Sequence, residues 1–220
     1  MKSIEIYNIL RNYFGAVGSW WPKERPFEVI IGAILTQQST WTNVEKALKN
    51  LNQQGILTPF EIEEIPLEKL KELIKSSGFF NQKANRLKEI SEYLITQYNG
   101  NLELLFNKNK KELRKELLNL KGIGPETADS IILYSAEKAE FVVDAYTKRI
   151  YSRLGLVNEK IDYENLKEFI IEGIPEELTI YQEYHGLLVL LGKNICKKNN
   201  PKCMECPLKD KCDFGKKENG

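Results

Sequence analysis

The sequence predicts an all-α fold, and three observations predict it. Apolar residues recur with helical period in nearly every segment, no run alternates in the two-residue rhythm of a strand, and no hairpin dipeptide joins β-branched runs. Ile6, Ile9, Leu10 and Tyr13 mark a first amphipathic helix. A loop from Gly15 to Pro26 carries Trp20 and Trp21. Phe27 to Leu35 is almost wholly apolar, so its helix is expected to be buried on most faces. Val44, Ala47, Leu48 and Leu51 mark the next. Thr58-Pro59 starts a short helix, with Thr as the cap and Pro at the first position. Leu67, Leu70, Leu73 and Ile74 follow, and Gly78 breaks that helix. Lys83 to Tyr98 resumes, with Ala84, Leu87, Ile90 and Leu94 inward, until Asn99-Gly100 ends it. Leu113, Leu117 and Leu118 mark one further helix face, and Ala128, Ile131 and Ile132 another. Phe141 to Val143 is a brief apolar run, after which a helix opens at Asp144. Asp162 caps a segment with Leu166, Phe169 and Ile170 inward. Gly173 to Pro175 is a turn, Leu178 to Gly192 a long helix, and the tail from Phe214 is polar and expected to fray.

The chain has 220 residues, which allows one large or two small domains, and 42% hydrophobic content supports a core. A net charge of +1 advertises no global basic field, so any nucleic-acid partner must meet a local basic surface. The sequence has no apolar run of membrane-spanning length and no basic and apolar leader at its start, which points to a cytoplasmic protein without a membrane partner. No spare apolar helix face stands out, so a monomer is expected.

Two stretches carry chemistry. The first is Leu120-Lys121-Gly122-Ile123-Gly124-Pro125-Glu126-Thr127-Ala128, between two helical segments. Its glycines permit a tight turn and close approach of the backbone to a ligand. Pro125 suits the first turn of the second helix, whose N–H groups form an anion site. Taken alone, the stretch is equally an ordinary helix corner. The second is Cys196-x6-Cys203-x2-Cys206-x5-Cys212, four cysteines within seventeen residues. Such density reads as metal ligation, by zinc or by an iron–sulfur cube, and not as disulfides. Around it lie Lys197, Lys198, Lys202, Lys209 and Lys211, each by itself a solvated lysine and together a phosphate-contacting surface. His185, the only histidine, is expected to be a packed, hydrogen-bonded side chain.

With Phe141-Val142-Val143-Asp144 between them, these stretches resemble the helix-hairpin-helix DNA glycosylases of the endonuclease III superfamily. There a Leu-x-Gly-[Ile/Val]-Gly-x-x-Thr-Ala hairpin grips DNA phosphate and a Val-Asp some twenty residues on does the chemistry. Asp144 lies 144 − 124 = 20 residues after Gly124. The stretches Ile34-Leu35-Thr36-Gln37-Gln38 and Ser77-Gly78-Phe79-Phe80-Asn81-Gln82-Lys83-Ala84 look most like the 3-methyladenine DNA glycosylase branch.

The resemblance implies a six-helix barrel over residues 21–135 with the helix-hairpin-helix at 113–132. It also implies a second helical, iron–sulfur domain from 1–20 plus 136–213, a polar tail at 214–220, and DNA bound in the cleft between the domains. The cysteine spacing matches the superfamily's [4Fe-4S] loop, with Cys196, Cys203, Cys206 and Cys212 as ligands. Asp144 becomes the catalytic carboxylate acting on a base flipped from double-stranded DNA. Bifunctional members carry a lysine two positions after the second glycine. Here Glu126 stands there and cannot form an imine, so a monofunctional enzyme is expected, with Lys121 the nearest amine. Trp20, Trp21 and Trp41 are candidate walls of a pocket for a cationic, alkylated purine. Gln38 matches the residue that fills the gap left by the flipped nucleotide, and Phe79 the wedge on the opposite strand. The hairpin contacts to DNA would come from Lys121, Gly122, Ile123, Gly124, Glu126 and Thr127. No nucleotide cofactor is implied. The rival readings are a bifunctional endonuclease III-type glycosylase/AP lyase on oxidised pyrimidines and a non-catalytic damaged-DNA-binding module.

Overall fold

A computed structural model describes residues 1–18, 21 and 25–218, the last two through their backbone alone. Among these residues the chain is all-helical: thirteen α-helices, short 3-10 turns and no strand. In order they are α1 (Ser3–Phe14), α2 (Pro26–Thr36), α3 (Trp41–Gln53), α4 (Pro59–Glu64), α5 (Leu67–Leu73), α6 (Phe80–Tyr98) and α7 (Leu102–Phe106). Then come α8 (Lys110–Leu118), α9 (Pro125–Tyr134), α10 (Ala145–Arg153), α11 (Tyr163–Ile171), α12 (Leu178–Asn194) and α13 (Asp213–Glu218). No helix in the described residues is long and apolar enough to cross a membrane. The chain divides into two compact units, residues 21–138 and residues 1–20 with 139–220.

The 21–138 unit is built on α2. Phe27, Val29, Ile30, Ile31, Ala33, Ile34 and Leu35 are all buried, each of the larger side chains worth roughly 1.5–3 kcal/mol when fully removed from water. A helix apolar all round needs partners all round, and α3, α6 and α9 supply them. The Trp21 ring lies so close to Gly32 that a Cβ there would come within 2.5 Å of Trp21 Cζ2. Helices α8 and α9 form the hairpin, tied by a two-pronged pair in which Arg114 Nε donates to Asp129 Oδ1 at 2.6 Å and Nη2 to Oδ2 at 3.2 Å. Thr58 caps α4, with Glu61 reaching back to the Thr58 amide at 2.7 Å, a capping box. Asn99 takes the left-handed conformation, with φ 52°, and ends α6. Helix α6 begins at Phe80, three residues earlier than Lys83, because Phe79 caps it in a left-handed turn. The five-residue α7 has too few apolar repeats to stand out in the sequence; Asn101, accepting from the Glu103 amide at 2.9 Å, starts it.

The other unit is built on α12, which buries Tyr181, Tyr184, His185, Leu187, Leu188 and Leu191. Helices α1 and α10 pack on it. Buried phenols place their hydroxyls on partners, as buried polar groups must. Tyr151 lies 2.8 Å from Ser3 Oγ and 2.6 Å from the Tyr184 hydroxyl, and Tyr7 donates to Glu183. Phe169 departs from expectation and is 37% exposed, its ring edge-on to Tyr151 instead of inside the core. The tail departs too. Residues 213–218 form α13, and the Arg153 guanidinium sits 4.4 Å over the Phe214 ring, a cation–π contact that holds the segment.

Candidate active site

Asp144 follows a buried run, Phe141-Val142-Val143, and caps α10. Its Oδ1 accepts from the Thr147 amide at 2.7 Å. Its Oδ2 lies 3.6 Å from His185 Nε2, and its side chain is 13% exposed. The packing of α10 on α12 makes that pair. Burial opposes ionisation of Asp144, but the facing His185 and the Thr147 amide outweigh it and lower the carboxyl below its ordinary value. The result is an ionised carboxylate in a largely dry setting, suited to stabilise positive charge. His185 is packed, 5% exposed, and its alignment with Asp144 is the part the sequence did not show.

In the 21–138 unit the hairpin glycines divide the work that sequence assigned to both. Gly122 has φ +81° and makes the turn. Gly124 is the N-cap of α9 in an extended conformation, and nothing lies within 4 Å of where its Cβ would be. It leaves the helix N-terminus open to an anion. Ile123 sends its side chain inward, 6% exposed, so this residue offers only backbone to a ligand. Lys121 and Glu126 are exposed, Lys121 with its Nζ 3.6 Å from Glu89 Oε1. Thr127 is buried, and its hydroxyl accepts from Gln37 Nε2 at 3.0 Å. The same Gln37 nitrogen donates to the Gly122 carbonyl at 3.0 Å, while Arg86 donates to Gln37 Oε1. Gln37 and Arg86 thus brace the hairpin. Sequence reading passed over both, since only Gln37's place beside Gln38 in the matched stretch hinted at a role.

Gln38 and Phe79 share an unusual feature. Both adopt positive φ, 52° and 46°, a region bulky residues enter only under constraint. Both side chains are exposed, Phe79 by 58%. Trp21 is 6% exposed and packs edge-to-face on Trp41 with centroids 5.0 Å apart, and against Tyr134 at 5.5 Å. Trp41 Nε1 donates to Glu45 Oε1 at 2.7 Å. Trp20 lies outside the described residues.

The four cysteines line one pocket together with Arg153, Ile195, Pro201 and Phe214. Arg153 Nη1 donates to Cys196 Sγ at 3.4 Å, and the Gly215 amide to Cys212 Sγ at 3.4 Å, donors suited to thiolates. Arg149 binds the Cys196 carbonyl at 2.9 Å and the Gly192 carbonyl at 3.0 Å, so α10 holds the loop from inside. Burial, with the three neighbouring cysteines adding, pushes the Cys206 thiol up to about 11. Four sulfurs gathered at one pocket make a donor set for a metal group. By its chemistry the donor set fits a metal group, zinc or iron–sulfur. The loop lysines Lys197, Lys198, Lys202, Lys209 and Lys211 are exposed.

Residues 31–176 match the family model of the HhH-GPD superfamily of base excision DNA repair proteins. A Methanocaldococcus jannaschii protein whose name assigns it provisionally to the DNA repair glycosylases is 46% identical over 210 residues, 94% of each chain. An endonuclease III trapped as a covalent intermediate with DNA matches with a TM-score of 0.86 and 26% identity, over 100% of both chains. The 3-methyladenine DNA glycosylase of H. pylori, bound to 1,N6-ethenoadenine, matches with a TM-score of 0.77 and 30% identity, over 88% of this chain and 98% of that one. The chain belongs to the HhH-GPD superfamily of base excision DNA repair proteins.

Proposed function

We propose that this DNA repair glycosylase is monofunctional. It hydrolyses the N-glycosidic bond of an alkylated, 3-methyladenine-like purine flipped out of double-stranded DNA, and it leaves an abasic site. The observation that carries the reading is the pairing of chemistries at two positions: an ionised carboxylate, Asp144, at a helix N-terminus, and a second carboxylate, Glu126, where an imine-forming lysine would stand. As the bond to the base lengthens, positive charge grows on the sugar. The Asp144 carboxylate stabilises it and orients the attacking water. An alkylated base leaves as a neutral species, so little acid assistance is needed. Likeness to a 3-methyladenine glycosylase supports such a base.

In this reading the hairpin grips backbone phosphate through the α9 N-terminus, and the exposed loop lysines add sequence-independent contacts. Cys196, Cys203, Cys206 and Cys212 hold a [4Fe-4S] cluster that orders the 196–212 loop. Iron and acid-labile sulfide in equal amounts test that assignment against zinc. The protein acts as a monomer without a nucleotide cofactor.

Likeness to endonuclease III supports the rival, a bifunctional glycosylase/AP lyase on oxidised pyrimidines. Mass analysis of bases released from methylated, deaminated and oxidised DNA, with borohydride trapping on abasic DNA, separates the two. Release of alkylated purine without a covalent adduct is expected; a trapped adduct at normal yield sinks the monofunctional claim. Asp144→Asn should slow base release by ~10²-fold or more while DNA affinity stays within about twofold. Base release by neither the wild type nor the variant would instead favour a damage-binding module.

A further inference from the structure

Lys83 is 1% exposed inside the 21–138 unit, a rare place for an ammonium. Its Nζ donates to the Leu35 carbonyl at 2.8 Å and to the Ser77 carbonyl at 2.7 Å. Leu35 lies in the last turn of α2, and Ser77 ends the 3-10 turn of residues 75–77. Carbonyls at such ends lack a following helical N–H and carry the negative end of the local dipole. One cation satisfies both. The arrangement is costly: burial, helped by the Arg86 charge, pushes the Lys83 ammonium down to about 8. A buried charge of this kind is weak evidence for stability and better explained by what it positions.

What it positions is specific. Gln38 lies three residues beyond Leu35 and Phe79 two beyond Ser77. Both are exposed residues held in left-handed corners, φ 52° and 46°. The Lys83 amide also bonds the Phe79 carbonyl at 3.1 Å, so one residue grips both corners. A lysine that titrates low invites another reading, as the nucleophile of a lyase reaction. Its burial and its engagement by two carbonyls argue against that.

We propose that Lys83 is a positioning residue that sets the separation and aim of Gln38 and Phe79 as they enter the duplex around an extruded nucleotide. The inference rests on the glycosylase reading only through the roles of those two side chains.

Lys83→Met keeps the stem and removes the donors. The probe is a duplex carrying a tetrahydrofuran abasic analogue opposite 2-aminopurine, so no bond is broken. At saturating protein the variant should lose at least about half of the wild-type fluorescence change, with Kd raised less than about threefold. On 1,N6-ethenoadenine paired in duplex, its release rate should fall ~10-fold, against less than about twofold when the lesion faces an abasic site and extrusion is cheaper. In a Phe79→Ala background the same substitution should add little, since both act on one step. If the methionine variant does not fold, Lys83→Gln takes its place. A wild-type fluorescence change, an equal loss on both lesion duplexes, or full additivity with Phe79→Ala overturns the proposal. Absence of base release by the wild type would overturn the glycosylase reading alone, since the fluorescence arm still decides the role of Lys83.

Discussion

Asp144 shows how much a single side chain owes to its surroundings. As an N-cap before a helix it was visible in the sequence, because a short acceptor at that position satisfies a helix N–H. Its ionisation was not visible, because that depends on His185, 41 residues away on α12. Asp144 titrates below its unfolded value in the folded chain. Its stabilising contribution is therefore complete above the ordinary aspartate range and is lost as pH falls through the lower, folded value. His185→Phe removes the larger lowering partner and leaves burial, which acts upward, opposed only by Thr147. The acid limb of the single-turnover pH profile should then move to higher pH, and the variant's loss of melting temperature relative to wild type should be larger at pH 7 than at pH 4, where the wild type has already begun to lose this contribution. A limb that stays in place would mean His185 does not tune this carboxylate.

At the level of the element, the hairpin divides two glycines that look alike in sequence. Gly122→Ala meets both a positive φ and Arg86 Nε, 2.4 Å from the added Cβ. It should cost roughly 1–2 kcal/mol in denaturant unfolding. Gly124→Ala meets no atom within 4 Å. It should leave stability within about 0.5 kcal/mol but weaken DNA binding several-fold, because the methyl occupies the space through which a phosphate reaches the α9 amides. Titrations of both variants with undamaged duplex, beside their melting curves, test the division; equal stability losses would contradict it. The motif made the hairpin legible. The brace from Gln37 and Arg86 was not, since neither its spacing nor its residue types differ from those of a solvated helix surface.

Across the whole molecule, helical period located most elements, because an amphipathic helix must bury one face wherever it ends up. It failed for α7, which is shorter than two turns, and for α13, whose hold comes from Arg153 on Phe214 and not from its own pattern. The cysteine loop is tied to α10 through Arg149 and Arg153. Stripping the proposed cluster should therefore raise hydrogen exchange in residues 195–218 and in α10, with the 21–138 unit little changed. Uniform deprotection of both units would refute this localised coupling.

By itself the sequence determined the helical class and the superfamily, and it offered the cysteine set and the carboxylate at residue 144 as site residues, since each is written as a local spacing that chemistry requires. The tertiary structure alone decided which glycine turns and which stays open, that His185 meets Asp144, and that a buried Lys83 joins the corners at Gln38 and Phe79. Those features depend on contacts between residues far apart in the chain, where burial and charge act through space and leave no period or motif behind.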